Sequence, residues 1–538
     1  MEPESEVGNI EYKSRLNPDR VEELASQLRY RLKEGGGVAT YFLGISDKGT
    51  PLGLSKIDLE ESFNILLEVA KRASAIVVAK ELIYVQGKPV LRILLREKSI
   101  LPKEEVCVVT LGNVDAGKTT LIAALITGEL DDGRGRLLPF VSRYPHEIKF
   151  GRTSSIARVL LGFASDGSVV NYLVPEDEAE IARHSSKVIR FVDLGGHERY
   201  LRTTARGLMA SMADYVMYVI SYSQALHFDR YPLAREHLGL AIVLNMPFFI
   251  VFTKRDLVPS DELAEKAVEN ITRIIKRFKY IPVRVQVSQE PIESLAKLTL
   301  RRFVPIFEVS NVTGRGLEPL LRYLNSLPKH RRFELYLNKP FLLYVDELWN
   351  PKGKGLIVGG LVLRGHVAKG DEVLIGPLDD ASWRLTRIRS IRVHDIDVDR
   401  AIAGQYATLA IDGISRDEVE KGMVLASKDL KPVNVLEFKA KLWILHHPTT
   451  IREGYQTVAH VHSIRWPVIF RKIKNERGRN LLRTGDIGLV RLAFQYRGRK
   501  SSMRQRPWYI EPGMRVLLRD GRCRAIGIVE KVINESKA

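Results

Sequence analysis

Short apolar runs alternate with helical stretches in the middle of the chain. The runs are apolar on both faces, as is typical of strands buried in a parallel sheet. They predict strands at residues 106–111, 188–192, 215–220, 248–252 and 304–309. Between them, apolar residues at helical spacing predict helices at residues 119–127, 233–243 and 261–278. This alternation indicates a doubly wound α/β domain over residues 102–331.

The pattern changes after residue 332, where short strands recur with glycine-containing turns. Strands are predicted at residues 356–364, 372–375, 386–393 and 405–411. Such spacing is typical of a small antiparallel β-barrel. We expect one barrel at residues 332–430 and a second at residues 431–538.

The first part of the chain, residues 1–101, has a mixed pattern. Helices are predicted at residues 18–32 and 59–72, and strands at residues 38–43, 75–80, 82–85 and 90–96. No catalytic motif lies there. We interpret this unit as a docking or RNA-contacting appendage on a multidomain protein.

The net charge of the chain indicates a class of partner. The 538 residues carry a formal charge of +19, which favours a polyanion such as RNA, although a generally basic proteome or a thermophile surface is an alternative. Residues 471–506 hold twelve Lys or Arg and two acidic residues, a balance of +10. Aromatic residues lie in or near this stretch: Phe494, Tyr496, Trp508 and Tyr509. We expect an RNA-facing surface there rather than a solvated loop.

Other features exclude several classes of protein. The two cysteines, Cys107 and Cys523, are too few for a disulfide framework or a cysteine metal site, which fits a reducing cytoplasm. The acidic start of the chain is unlike a secretory signal. The longest nearly apolar run, residues 240–252, is too short to span a bilayer. We expect a cytoplasmic monomer with no membrane partner.

Histidines raise the alternative of a metal site. The candidates are His237, His446, His447, His460 and His462. His460 and His462 alternate, however, as residues on one face of a strand do. A strand face is therefore the favoured interpretation.

The strongest motif follows the strand predicted at residues 106–111 and precedes a helix. It matches GxxxxGK[ST] and reads Gly112-Asn113-Val114-Asp115-Ala116-Gly117-Lys118-Thr119. Its backbone N–H groups and the helix start favour phosphate binding. Lys118 is expected to reach the β- and γ-phosphates, and Thr119 to coordinate Mg²⁺. The expected phosphate-binding residues are Asn113, Val114, Asp115, Ala116, Gly117, Lys118, Thr119 and Thr120.

A second motif, Asp193-Leu194-Gly195-Gly196, follows the next strand. Asp193 stands where Mg²⁺ is held, usually through water, and the N–H of Gly196 can meet the γ-phosphate. His197 comes next and can orient the attacking water. The motif DxxG alone is weak evidence for a nucleotide site, but after a P-loop and at the end of a strand it is strong evidence.

Two further loops follow strands and are suited to reading guanine. In Thr253-Lys254-Arg255-Asp256, the Asp256 carboxylate can accept from the ring N–H and the exocyclic amine of guanine, a donor pair that adenine lacks. Lys254 can lie along the base plane. In the loop Ser310-Asn311-Val312, a backbone N–H can donate to the guanine oxygen. Four motifs in this order predict a GTP site.

With these motifs, the chain resembles the translational GTPases of the elongation factor Tu/1A class, in particular the GTP-binding protein 1/2 subfamily and its archaeal type. The resemblance covers residue 106 to the end of the chain. Its marks in the G domain are GNVDAGKTTL, GELDDGRG, HEIKFGRTSS, DLGGHERYL, REHLGLAIVLNMP and TKRD. In the barrels they are GLIVGGLVLRGHVAKGDEVLIGP and PTTIREGYQTVAHVHSI. The first hundred residues match nothing so general.

The resemblance implies roles for single residues. Lys118 matches the catalytic P-loop lysine, and His197 matches the histidine that positions the nucleophilic water. Thr119 and Asp193 match residues of the metal site, and Asp115 matches an aspartate that helps to bind a monovalent cation. For the switch I hydroxyl on Mg²⁺, Ser155 is favoured by its neighbour Ile156, with Thr153 and Ser154 as alternatives.

Two positions depart from the family pattern. Thr253 stands where the family has asparagine, and the loss of the amide is expected to weaken loop rigidity or guanine affinity. Gly195-Gly196 replaces Pro-Gly, so the backbone beside His197 is expected to be freer.

The sequence thus predicts a GTPase switch that acts with RNA, in particular tRNA, and with the ribosome. One alternative is a GTP-regulated RNA-binding adaptor in mRNA turnover or ribosome rescue. Another is a metabolic GTPase subunit, which the basic third domain disfavours.

Overall fold

The computed structural model describes two compact units. One consists of Met1–Glu105 and Leu160–Val188, and the other of Val106–Val159 and Ile189–Ala538. The described residues are all except 1–7, 35–37, 98–100, 143, 151–152, 154, 175–176, 198–200, 286–291, 354, 496–505 and 535–538. In this described part, no helix is both long and apolar enough to cross a bilayer.

The first unit contains a four-stranded sheet with two helices. Its elements are β1 (Ile10–Lys13), α1 (Val21–Glu34), β2 (Val38–Leu43), α2 (Lys56–Arg72), β3 (Ala75–Val85) and β4 (Lys88–Glu97). The sheet order is β1-β2-β4-β3, and β1 runs parallel to β2. Leu28 and Leu66 of the helices pack on Tyr41 and Ile93 of the sheet. The two strands predicted at residues 75–80 and 82–85 form one strand.

Residues 160–188 belong to this first unit. Leu94 of β4 packs with Ala164 and Val170, and Arg92 forms an ion pair with Asp166 at 2.8 Å. The apolar pattern placed this segment within the α/β domain and did not predict that it packs with the N-terminal residues.

The α/β domain has a seven-stranded sheet. Its strands are β5 (Glu104–Leu111), β6 (Ala157–Phe163), β7 (Lys187–Asp193), β8 (Tyr215–Ser221), β9 (Phe248–Thr253), β10 (Ile281–Arg284) and β11 (Phe303–Glu308). The order is β10-β11-β9-β8-β5-β7-β6. The five predicted strands are all present, whereas β6 and β10 were not predicted. β10 is only partly buried, so its apolar pattern is weak.

Helices connect these strands. They are α3 (Lys118–Thr127), α4 (Pro145–Phe150), α5 (Glu178–His184), α6 (Leu201–Ser211), α7 (Tyr222–Leu226), α8 (Pro232–Val243), α9 (Asp261–Arg277), α10 (Ile292–Leu298) and α11 (Leu317–Ser326). Chain connections diverge on either side of β5, which lies between β8 and β7. The loops after these strands therefore meet at the switch point of an open α/β sheet, where ligands bind.

The second domain is a closed barrel. Its strands are β12 (Leu342–Tyr344), β13 (Glu347–Trp349), β14 (Leu356–Arg364), β15 (His366–Ala368), β16 (Glu372–Gly376), β17 (Arg384–Val393), β18 (Ile396–Val398), β19 (Arg400–Ile402), β20 (Tyr406–Ile411) and β21 (Val424–Ala426). Six of them form the ring β12-β21-β16-β17-β20-β14, which the β12–β14 pairing closes.

The third domain is also a closed barrel. Its strands are β22 (Val435–His446), β23 (Gln456–Val461), β24 (Ile464–Asn475), β25 (Ile487–Phe494), β26 (Arg515–Arg519) and β27 (Arg524–Asn534), in the order β22-β25-β24-β23-β26-β27. The described part of the basic stretch includes the end of β24 and all of β25. Residues 496–505, with Tyr496, lie outside the described residues. The predicted fold class, an α/β G domain with an α/β N-terminal unit and two barrels, is confirmed.

Candidate functional site

The P-loop forms a tight turn between β5 and α3. Gly112 has φ +153°, and a Cβ atom there would lie 2.1 Å from the carbonyl oxygen of Val219. Gly117 caps α3 with φ +80°, a conformation that favours glycine. Lys118 Nζ donates to the carbonyl oxygens of Gly112 and Asn113 at 3.1 and 3.0 Å. Burial lowers the pKa of this ammonium group, while Asp193 and Asp115 oppose the shift. The loop thus holds one desolvated cation at the helix start.

Four oxygen-bearing side chains meet beside this lysine. Thr119 Oγ1 donates to Asp193 Oδ2 at 2.6 Å and lies 2.7 Å from Thr153 Oγ1. Thr110 Oγ1 donates to the other oxygen of Asp193 at 2.7 Å, which orients the fully buried carboxylate. Hydroxyl and carboxylate oxygens are the ligands that Mg²⁺ prefers, so the donor set fits this ion.

The structure brings Thr153, and not Ser155, to this cluster. Ser155 instead donates through its backbone N–H and its hydroxyl to Glu147 Oε1, at 2.8 and 3.0 Å. The third candidate, Ser154, lies outside the described residues. The two threonines, one from the P-loop and one from the loop before β6, therefore share the Asp193 carboxylate.

The loop after β7 presses against the P-loop. A Cβ atom on Gly196 would lie 2.4 Å from Lys118 Nζ and 2.7 Å from the carbonyl oxygen of Asn113. Glycine is required here because nothing larger fits. The Gly195 carbonyl accepts from Thr204 Oγ1 of α6 at 2.7 Å. His197 follows and lines the same cavity as Lys118 and Thr119.

On the other side of the cavity, two loops hold one carboxylate. Ser310 Oγ donates to Asp256 Oδ1 at 2.6 Å and accepts from the backbone N–H groups of Val312 and Thr313. Thr253 Oγ1 donates to the P-loop carbonyl of Ala116 at 2.7 Å. The threonine that replaces asparagine therefore still ties this loop to the P-loop.

These residues surround a cavity of about 270 Å³. Among the predicted residues, its lining includes Val114, Asp115, Gly117, Lys118, Thr119, Thr120, Gly196, His197, Lys254, Asp256, Asn311 and Val312. The other predicted residues support this lining from behind, except Ser155, which contacts Glu147 instead. They are Asn113, Ala116, Asp193, Thr253 and Ser310.

The sequence motifs missed one wall of the cavity. Asp131 accepts from the backbone N–H groups of Gly133 and Leu137 at 2.9 and 3.2 Å, and its own N–H donates to the Asn311 carbonyl at 2.8 Å. Asp131, Gly133 and Gly135 all line the cavity. These residues belong to the segment GELDDGRG, which the sequence analysis noted only as a mark of the family. Its residue types do not by themselves indicate a nucleotide contact.

The fold and this site define a class of protein. Residues 103–329 match the model of the elongation factor Tu GTP binding domain, and residues 355–426 match that of elongation factor Tu domain 2. The chain therefore belongs to the elongation factor Tu-like family of translational GTPases, whose members bind and hydrolyse GTP.

Within this family, the chain is similar to two particular proteins over nearly its whole length. It is 35% identical to GTP-binding protein 2 of Homo sapiens, with 99% of this chain and 88% of that protein covered. It is also 35% identical to GTP-binding protein 1 of Xenopus laevis, with 96% of this chain and 77% of that protein covered. The resemblance to the elongation factor Tu/1A class and to the GTP-binding protein 1/2 subfamily is confirmed.

Solved structures show the same fold at lower identity. A bacterial selenocysteine-specific elongation factor, EF-Sec, matches with a TM-score of 0.56 at 20% identity, over 79% of this chain and 58% of that one. Elongation factor SelB of Methanococcus maripaludis, in complex with the GTP analogue GppNHp, matches with a TM-score of 0.55 at 19% identity, over 81% of this chain and 80% of that one.

Proposed function

We propose that this protein is a cytoplasmic GTP-driven switch that binds RNA, tRNA in particular, and acts with the ribosome. The observation that carries the RNA partner is a basic face on the third domain. The similar solved structures are elongation factors, and the G domain supplies the switch. The tRNA and ribosome partners are the part of the proposal that experiment must test.

The basic barrel face lies on the outside of four adjacent strands, β27, β22, β25 and β24. Directly paired residues in antiparallel strands point to the same face. Lys531, Lys439, Arg491 and Lys472 form one such row, and Ile528, Lys441, Leu489 and Lys474 form the next. Trp443 lies one step further along β22, on the same side.

This face combines charge with flat apolar surface. Lys439, Lys441, Lys472 and Lys474 are exposed, as are Trp443, Leu489 and Ile528. Glu437 forms an ion pair with Arg491 at the edge of the face. Cations that follow a backbone, with an aromatic ring on which a base stacks, are the features by which proteins bind single-stranded RNA. The face therefore fits an unpaired stretch of an RNA.

Reversing four charges on this face is expected to weaken RNA binding in a salt-dependent way. The variant carries Lys439→Glu, Lys441→Glu, Lys472→Glu and Lys474→Glu. Each phosphate of a single strand that the protein no longer neutralises lowers the log–log salt slope by about 0.7, so the slope should fall by about 3 units. Filter binding of tRNA over a salt series, with a non-hydrolysable GTP analogue, measures this slope.

A matched control separates the face from the net charge of the chain. Lys266→Glu, Arg273→Glu, Lys276→Glu and Lys297→Glu make the same charge change at exposed positions of the G domain and should leave most of the slope intact. Equal slopes for the parent and the barrel variant would remove the basic barrel face from the proposal. An RNA affinity that is the same with the GTP analogue and with GDP would favour the adaptor function.

The chemistry we propose is in-line attack of water on the γ-phosphate of GTP. His197 orients the water, and Lys118 leaves its backbone carbonyl partners to neutralise charge on the phosphate oxygens. Thr119 and Thr153 would hold Mg²⁺, with Asp193 acting through water. When bound, Mg²⁺ neutralises charge that develops on the β- and γ-phosphate oxygens. Asp115, on the cavity wall, is the proposed ligand of a monovalent cation.

The Mg²⁺ requirement should distinguish the two switch I hydroxyls. Thr153→Ala removes an oxygen next to Thr119. Half-maximal binding of a GTP analogue should therefore need a Mg²⁺ concentration at least about 10-fold higher. Ser155→Ala is the matched variant, because its hydroxyl contacts Glu147. Fluorescence titration of the labelled analogue against Mg²⁺ measures both. A larger effect of Ser155→Ala than of Thr153→Ala would contradict the assignment.

A further inference from the structure

Helix α8 contacts the third domain through Glu236. The Glu236 carboxylate lies 2.8 Å from Arg519 Nη1 and 3.3 Å from Arg524 Nη2. These arginines pair with each other across the β26–β27 hairpin. The side chains of Glu236 and Arg519 are only 9% and 8% exposed. One buried carboxylate therefore holds both arms of the hairpin.

The next residue of α8 contacts the P-loop. His237 is fully buried, and its Nδ1 lies 2.9 Å from the carbonyl oxygen of Gly112. Burial, together with the nearby charge of Lys118, lowers the pKa of His237 to about 3, so the ring is neutral. A neutral ring carries one N–H: on Nδ1 it donates to the Gly112 carbonyl, whereas on Nε2 it leaves Nδ1 to accept from the Gly112 backbone N–H at 3.2 Å. The Gly112 carbonyl also accepts from Lys118 Nζ at 3.1 Å. His237 thus contacts the backbone that positions the phosphate-binding lysine.

Apolar packing makes this junction continuous. Leu517 and Ile526 of the β26–β27 hairpin belong to the same buried cluster as Leu238 and Ala241 of α8. Close-packed interiors transmit displacements instead of absorbing them. Gly112 also has little room to move, because its α-carbon lies directly against the Val219 carbonyl. The contacts therefore form a continuous packed path from the hairpin through α8 to the P-loop.

We propose that Glu236 and His237 are positioning residues through which the third domain controls how fast nucleotide leaves the P-loop. A partner that moves the β26–β27 hairpin would then alter nucleotide release. Nucleotide binding would alter affinity for that partner by the same factor, because coupling between binding sites is reciprocal. This inference goes beyond the proposed RNA function and requires only that the protein binds GDP.

Loosening either contact should accelerate GDP release. Glu236→Gln keeps the shape of the side chain but removes the charge that holds the two arginines. His237→Leu removes the hydrogen bond to Gly112. Couplings between sites usually correspond to factors of about 5 or more, so each variant should release GDP at least about 5-fold faster. Stopped-flow fluorescence of labelled GDP, chased with excess unlabelled GDP in the full-length protein without RNA, measures the rate.

Rescue and non-additivity distinguish positioning from a general loss of structure. His237→Asn places an amide group near the position of Nδ1. The amide can donate to the Gly112 carbonyl or accept from the Gly112 N–H, so this variant should restore a rate close to that of the parent protein. The effect of the double variant Glu236→Gln, His237→Leu should be less than the product of the single effects, because residues that act through one contact path are not additive. Arg524→Gln removes one of the two charges that hold the Glu236 carboxylate, and it does so at a more exposed position. This variant replaces Glu236→Gln in the test if Glu236→Gln does not fold.

Glu318→Gln is the matched control. Glu318 lies on α11 and forms an exposed helical ion pair with Arg322 at 3.8 Å, so the release rate of this variant should equal that of the parent. Unchanged release in folded Glu236→Gln or Arg524→Gln and in His237→Leu would overturn the inference, as would fully multiplicative effects. Since no RNA is present, failure here is separate from failure of RNA binding.

Discussion

Replacing His197 with alanine is expected to slow GTP hydrolysis by about 10²-fold or more while GTP affinity stays unchanged. His197 lines the cavity directly after Gly196, whose backbone lies against Lys118. We expect it to act on the attacking water, which is not among the contacts proposed to hold GTP in the ground state. Single-turnover hydrolysis of radiolabelled GTP, with and without ribosomes, measures the rate. Equilibrium binding of a GTP analogue measures affinity.

His366→Ala controls for the loss of a histidine, since His366 is exposed on the second domain. Its hydrolysis rate should equal that of the parent protein. If His197→Ala bound GTP normally and also hydrolysed it at the parental rate with ribosomes, the water would have to be oriented by another group.

Replacing Asp256 with asparagine is expected to weaken GTP binding by about 10²- to 10⁴-fold, since two hydrogen bonds to a charged acceptor are lost. The variant should instead prefer xanthosine triphosphate. Xanthine carries a carbonyl where guanine carries its exocyclic amine, and the asparagine amide can donate to it. Calorimetric titration with GTP, ATP and xanthosine triphosphate measures the exchange of preference.

Two variants isolate this effect. Ser310→Ala removes the hydroxyl that donates to Asp256 at 2.6 Å and should weaken GTP binding without any gain for xanthosine triphosphate. Asp229→Asn changes an aspartate that is 99% exposed and should leave all three affinities unchanged. Equal affinity of the parent protein for ATP and GTP would remove Asp256 from base recognition.

Short-range patterns predicted most of the fold. A strand followed by GxxxxGK[ST] and a helix can be identified from the sequence because glycine conformations, the helix start and the apolar run are local properties. The observed bounds of β5, α3 and α8 lie within a few residues of the predicted ones. The partly buried β10 was missed because its sequence lacks a long apolar run.

The parts of the site that lie in recognisable sequence motifs could be predicted. The motifs placed Lys118, Thr119 and Asp256 at the cavity, because each follows a strand and parallel strands end at one edge of a sheet. The choice between Thr153 and Ser155 was different. Both lie in one short loop without periodicity, and only the packing of that loop against α3 and Glu147 distinguishes them.

The sequence by itself therefore determined the class of this protein, most of its elements and the four motifs that line its candidate nucleotide site. Only the tertiary structure decided which residues hold those parts together. Glu236 meets Arg519 and Arg524, nearly three hundred residues further along the chain, and its neighbour His237 contacts Gly112. No helical or strand period encodes such pairs, because they depend on how separately folded domains pack and on which buried charges then need partners.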